Sequence, residues 1–145
     1  MLVGMDANQA IGDLTDISPQ VKDVVVIEAD GRVNGTNLAS AAEAERLAEG
    51  ARRLLEAAEG LRAGVAQLEA ATTTGSVFVV RDGERLIAAR TSPEPTVGLV
   101  FYDLKTCLRS IEPAKPGEEP AASKEPAPKR RAAPKKQREG ADAAT

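Results

Sequence analysis

The stretch VKDVVVIEADGRVNGTNL, Val21 to Leu38, decides how the rest of the chain is read. Val24 to Ile27 is apolar at every position, so both alternating faces of this strand need cover. A single-sided sheet would leave every second valine in water. Asp30-Gly31 supplies a turn with a residue suited to positive φ, and Val33 to Leu38, polar and interrupted by Gly35, reads as a weak edge strand folded back on the first.

Working outward from this hairpin, Met5 to Ile17 places Ala7, Ala10, Ile11, Leu14 and Ile17 at spacings of three and four, which predicts a short amphipathic helix stopped by Ser18-Pro19. After the hairpin, Ser40 and Glu43 match a capping box and open a second helix running to about Gly64. Along it Leu47, Ala51, Leu54, Ala58, Leu61 and Val65 step alternately by four and three residues, a seam suited to a helix partner as well as to a sheet, with Ala48 and Leu55 widening it. Three strands follow, Val65–Thr73, Ser76–Arg81 and Glu84–Arg90, separated by Thr74-Gly75 and Asp82-Gly83. They predict an antiparallel meander. After the rigid Ser92-Pro93-Glu94-Pro95 connector, Val97, Val100, Phe101, Leu104, Cys107, Leu108 and Ile111 form the stripe of a third helix.

Composition divides the 145 residues in two. Residues 1–111 carry a net charge of −5, and residues 112–145 carry +2 with six of the nine prolines. The first part has the apolar content for one domain. The second cannot bury enough apolar surface to offset its ordering entropy and is expected to be a disordered, basic, Pro/Ala/Lys-rich tail.

With no histidine, His-based acid–base work, Ser-His or Cys-His nucleophiles and His metal sites are excluded; one cysteine, Cys107, excludes an internal disulfide and a multi-Cys zinc site. No phosphate-loop or dinucleotide fingerprint occurs. Carboxylate pairs such as Glu43/Glu45 and Glu56/Glu59 read as a solvated helix face, as do Arg52 and Arg53, which could alternatively pair across a dimer with Glu49, Glu56 or Glu59. The expectation is a protein that binds rather than catalyses, without cofactor or metal. No apolar run reaches the length of a membrane span and no signal peptide is evident, so a cytoplasmic location is expected.

The order helix, two strands, helix, three strands, helix, carried by Val21–Leu38, the Ala/Glu/Arg/Leu-rich second helix and TVGLVFYDLKTCLRSI (Thr96–Ile111), resembles the roadblock/dynein light-chain family of longin-like domains. Thr96-Val97-Gly98-Leu99 stands where the family has Asn-Leu-Gly-Leu. The resemblance covers residues 5–111 and excludes the tail. It implies an α+β, three-layer α/β/α fold with a five-stranded antiparallel sheet in order 2-1-5-4-3, one helix on one face and two on the other. It further implies a homodimer through the second helix and third strand, joining two sheets edge to edge, and a regulatory or scaffolding role beside a small Ras-like GTPase or a related complex. On that reading the interface residues are Leu47, Ala51, Arg53, Leu54, Ala58, Leu61, Gln67 and Glu69. The alternative is an oligomeric tether whose tail cations, Lys129, Arg130, Arg131, Lys135, Lys136 and Arg138, grip nucleic acid or an anionic surface; with no aromatics among them, contact would be phosphate-driven.

Overall fold

A computed structural model describes residues 4–113. Three helices, α1 (Ala7–Ile17), α2 (Ala41–Leu61) and α3 (Val97–Ser110), accompany five strands, β1 (Val21–Ile27), β2 (Val33–Thr36), β3 (Gln67–Thr72), β4 (Gly75–Asp82) and β5 (Arg85–Thr91). The strands form one antiparallel sheet in the order β2-β1-β5-β4-β3.

The unbroken apolar run of β1 is divided between two cores. Val24 and Val26 pack with α1 and α3, in company with Phe78, Val80, Ile87 and Ala89 from β4 and β5. Val25 and Ile27 turn the other way, with Val79, Leu86 and Ala88, against Ala44, Leu47, Ala48, Ala51 and Leu55 of α2. The first core holds the fully buried Phe78, whose ring meets Phe101 edge-on at 4.9 Å and 76°. Such a pair contributes about 0.5–1.5 kcal/mol beyond its buried area. Central strands with both faces apolar thus lie where two helical layers cover one sheet.

The element ends differ from the sequence expectation for local reasons. α1 begins at Ala7, because the Asp6 carboxylate accepts from Gln9 N (2.8 Å) and so caps the helix there. Met5 instead pairs with the end of α3: its N–H donates to Ser110 O, and Glu112 N donates to Met5 O, both at 2.9 Å. At α2, Ser40 Oγ accepts from Glu43 N at 3.1 Å, the expected cap. The helix stops at Leu61, three residues short of Gly64, which adopts φ +86°. Two carboxylate oxygens of Glu59 collect the N–H groups of Gly64 (3.1 Å) and Val65 (3.0 Å), and Arg81 lies 3.2 Å from the same carboxylate. Val65 is therefore part of this cap rather than of β3.

β2 ends at Thr36 because a side chain takes over from the ladder: Asn37 Oδ1 accepts from Val24 N and its Nδ2 donates to Lys22 O, each at 2.8 Å. The outer edge of β2 is closed by α1, where Asn8 Oδ1 accepts from Thr36 N at 3.0 Å. The approach depends on Gly35, since a Cβ there would sit 2.6 Å from Ala7 Cβ. The opposite edge, β3, has β4 as its only strand neighbour among the described residues and is exposed at four of its six positions.

A buried ion pair ties the sheet to the end of α3. Arg85 reaches Glu28 at 3.0 Å, with side-chain exposures of only 16% and 4%. Asn34 Nδ2 donates to the same carboxylate at 2.7 Å, and the Arg85 guanidinium also donates to the carbonyls of Ile111 (3.2 Å) and Glu112 (2.7 Å).

The protonation of Glu59 gives a prediction. Hydrogen bonds from Gly64 N and Val65 N, assisted by Arg81, hold its carboxyl below the usual carboxylate value. A folded-state pKa below the unfolded one contributes stability above the unfolded pKa, and that contribution is lost as pH falls through the folded pKa. Melting temperature is expected to fall below about pH 4.5, and Glu59→Gln to flatten part of that acid limb. Thermal unfolding of both proteins at successive pH values checks this; identical slopes would remove Glu59 from the account.

Candidate docking surface on helix α2 and strand β3

The predicted seam of α2 splits into two faces. At ~100° per residue, Ala44, Leu47, Ala48, Ala51 and Leu55 centre roughly 85° from the Leu54–Leu61 line. The former set is buried against the sheet. Leu47 and Ala51 thus belong to the core, Leu54 and Ala58 are half-buried at its margin, and Leu61 is 90% exposed. Ala48 and Leu55, expected only to widen the stripe, stand near its centre. The correction follows from helix geometry: a 3.5-residue step drifts around a 3.6-residue helix, so one seam cannot face the sheet over its whole length.

Where the two faces diverge, a groove of about 660 Å³ opens between α2 and the sheet, lined by Leu38, Leu47, Gly50, Ala51, Leu54 and Val77. Gly50 leaves open space on the helix wall, and a Cβ there would touch nothing within 4 Å. Glu43 and Arg46 line the helix side of the groove; Asp23 and Arg90, paired across β1 and β5 at 3.0 Å, line its sheet side. Sequence reasoning missed Leu38, Arg46, Val77 and Arg90. They come from the loop after β2, α2, β4 and β5, and no local pattern links them.

Of the other proposed interface residues, Arg53 and Glu69 are engaged within the chain. Arg53 and Arg52 both pair with Glu49, one and the same carboxylate, at 3.1 and 3.0 Å. Those two bonds hold the Glu49 carboxyl below its usual value. Arg52 also donates to Gly31 O at 3.0 Å, pinning the β1–β2 turn to α2. On β3, Gln67 is exposed, and Glu69 accepts from Ser76 Oγ at 2.8 Å. Leu68 and Ala70 alternate with them, half-buried on the side of the sheet that packs α2. Leu54, Ala58 and Leu61 of the helix and Leu68 of the strand therefore supply apolar surface beside an open sheet edge.

The remaining candidates give no chemistry. Cys107 is buried in the α1–α3 core, and burial pushes its thiol pKa up to about 12, far from a reactive thiolate. Among the described residues no group of three or more His, Cys, Asp or Glu could hold a metal ion, and no helix is long and apolar enough to cross a membrane. The tail cations Lys129, Arg130, Arg131, Lys135, Lys136 and Arg138 lie outside the described residues.

No family model and no curated protein matches the chain. Solved structures do. A Roadblock/LC7 domain from Streptomyces avermitilis superposes with a TM-score of 0.64 at 20% identity, covering 73% of this chain and 94% of that one. MglB of Myxococcus xanthus gives 0.57 at 14% identity, covering 72% and 89%. An MglB structure with a tetrameric arrangement gives 0.56 at 14%, covering 77% and 91%. The expected roadblock-type fold is thus the observed one, including the strand order, with α2 alone on one face and α1 with α3 on the other.

Proposed function

We propose that this chain is a non-enzymatic, homodimeric scaffold that presents its α2 face to a small Ras-like GTPase or a related complex. The observation that carries the dimer is the asymmetry of the sheet edges. β2 is closed by α1 through Asn8 and Gly35, whereas β3 lies open beside the apolar margin of α2. An open edge adjoining apolar surface is a template for pairing with another copy of itself. The tetrameric MglB structure, of the same fold, is a self-associating relative in shape. The GTPase half of the proposal comes from the family resemblance of residues 5–111. Catalysis would belong to the partner, and this chain would act through unequal affinity for its two nucleotide states.

The test is multi-angle light scattering on the full chain, alone and mixed with a Ras-like GTPase loaded with GDP or a GTP analogue. A dimer that binds one nucleotide state preferentially is expected. A dimer indifferent to both forms would sink the GTPase reading and leave the interface standing; a monomer would sink the interface.

A further inference from the structure

Among the described residues five large apolar side chains stand out as exposed, and four of them lie away from α2: Ile17 at 69%, Val97 at 38%, Leu99 at 49% and Tyr102 at 66%. The packing of α1 and α3 brings their elements together. Met5, just before α1, bridges to Ile111 at the end of α3. At the other end Ser92 N donates to Gln20 O (3.0 Å) and Thr96 N to Gln20 Oε1 (2.9 Å). The helices are therefore antiparallel, and Ile17 at the close of α1 lies by the opening turns of α3, where Val97, Leu99 and Tyr102 stand. Leu99 shares a face of α3 with Tyr102 and Asp103, three and four residues on.

The charge beside this patch is predominantly negative, with Lys105, one turn after Tyr102 on α3, the exception. Asp13 and Asp16 are exposed on α1, which carries no lysine or arginine. Asp13 acts electrostatically on Cys107, one turn along α3 from Asp103, which places it toward the seam between the helices. Asp103 is 91% buried there; among the described residues neither it nor Asp13 nor Asp16 makes an ion pair or side-chain hydrogen bond. On α3 the cations Lys105 and Arg109 come about one and two turns after Tyr102, and Arg109 is engaged by Asp82 at 3.6 Å. Glu94, on the connector, adds another exposed carboxylate near Val97.

An apolar patch bordered mainly by unpaired carboxylates selects against several occupants. Anionic lipid and nucleic acid are repelled. A second copy docking face to face would bring Asp13 and Asp16 toward their own images. We propose that this corner of the α1–α3 layer docks a cationic amphipathic segment of a partner protein, its apolar side chains on Ile17, Leu99 and Tyr102 and its lysines or arginines facing Asp13 and Asp16. Such segments present apolar groups at helical spacing with charge alongside, and complementary charge sets their orientation and association rate. The surface lies across the sheet from α2, so it stands or falls independently of the dimer.

The test is fluorescence anisotropy on the full chain with a dye-labelled helical peptide of leucine and lysine, against a twin with glutamate at every lysine. The lysine peptide is expected to bind, more weakly as salt rises, and the glutamate twin not to. Leu99→Ser with Tyr102→Ser should weaken binding roughly tenfold or more, by removal of two central apolar contacts. Asp13→Lys with Asp16→Lys should reverse the peptide preference; all four substitutions are at exposed positions and leave the core untouched. Leu54→Glu, across the sheet, should leave the affinity unchanged. Equal binding of both peptides, no binding of the lysine peptide, indifference to the Leu99/Tyr102 pair, or preferential binding of anionic vesicles would each overturn the proposal.

Discussion

Leu54→Glu is expected to turn the proposed dimer into a monomer that keeps its fold. Leu54 lies on the margin of α2, half-buried over the groove that also contains Val77 and Gly50, and outside the buried set that holds the helix to the sheet. A carboxylate there remains hydrated in the monomer. In the dimer it would be desolvated against apolar surface, and burying an unpaired charge is expensive. A loss of about 3 kcal/mol corresponds to a dimer weakened roughly 100-fold. Light scattering over a concentration series, with thermal unfolding as the control for fold, reads both parts. A dimer of unchanged affinity would place the interface elsewhere.

Arg85→Met is expected to destabilise the fold itself. Glu28 sits just past the end of β1 with its side chain 4% exposed, and among the described residues Arg85 is its only cationic partner. Removing one member of a buried pair while the other stays charged and desolvated costs about 3–5 kcal/mol. The loss also releases the carbonyls of Ile111 and Glu112 from the guanidinium. Those carbonyls belong to the clasp in which Met5 and Glu112 hydrogen-bond. Chemical denaturation should therefore show a lower midpoint, and amide exchange should accelerate first at Met5 and Glu112. A double variant, Glu28→Gln with Arg85→Met, is expected to recover much of the loss by removing the stranded charge. Failure of the single variant to destabilise would mean that water reaches Glu28.

The layers were legible from particular residues. Val24 to Ile27 had no polar face to give to solvent, and neither did Leu86 to Ala89; that demands helices on both sides of a sheet. Ser40 and Gly31 marked a helix start and a turn by chemistry acting within a few residues. The α2 seam was legible only as a list of apolar positions. Which of them meet the sheet depends on how the helix is rotated over it, and that rotation is chosen by the best packing of Ala44, Ala48, Ala51 and Leu55 against Val25, Val79 and Ala88. Gly64 read as helix terminus for the same reason in reverse: the true end is set by Glu59 reaching Gly64 and Val65 amides, with support from Arg81 across the sheet.

By itself, then, the sequence determined the elements, their order and the need for two cores, because periodicity, caps and turns act over a few residues. It also determined the absence of histidine chemistry, which is a matter of composition. The tertiary structure alone decided which apolar side chains remain outside, that Glu28 meets an arginine 57 residues away, that among the described residues the β2 edge is closed and the β3 edge open, and that Gln20, just past α1, meets Thr96 at the start of α3. Each of those depends on distances between segments far apart in the chain. Such distances follow from the joint packing of all the elements, and no single stretch of sequence carries them.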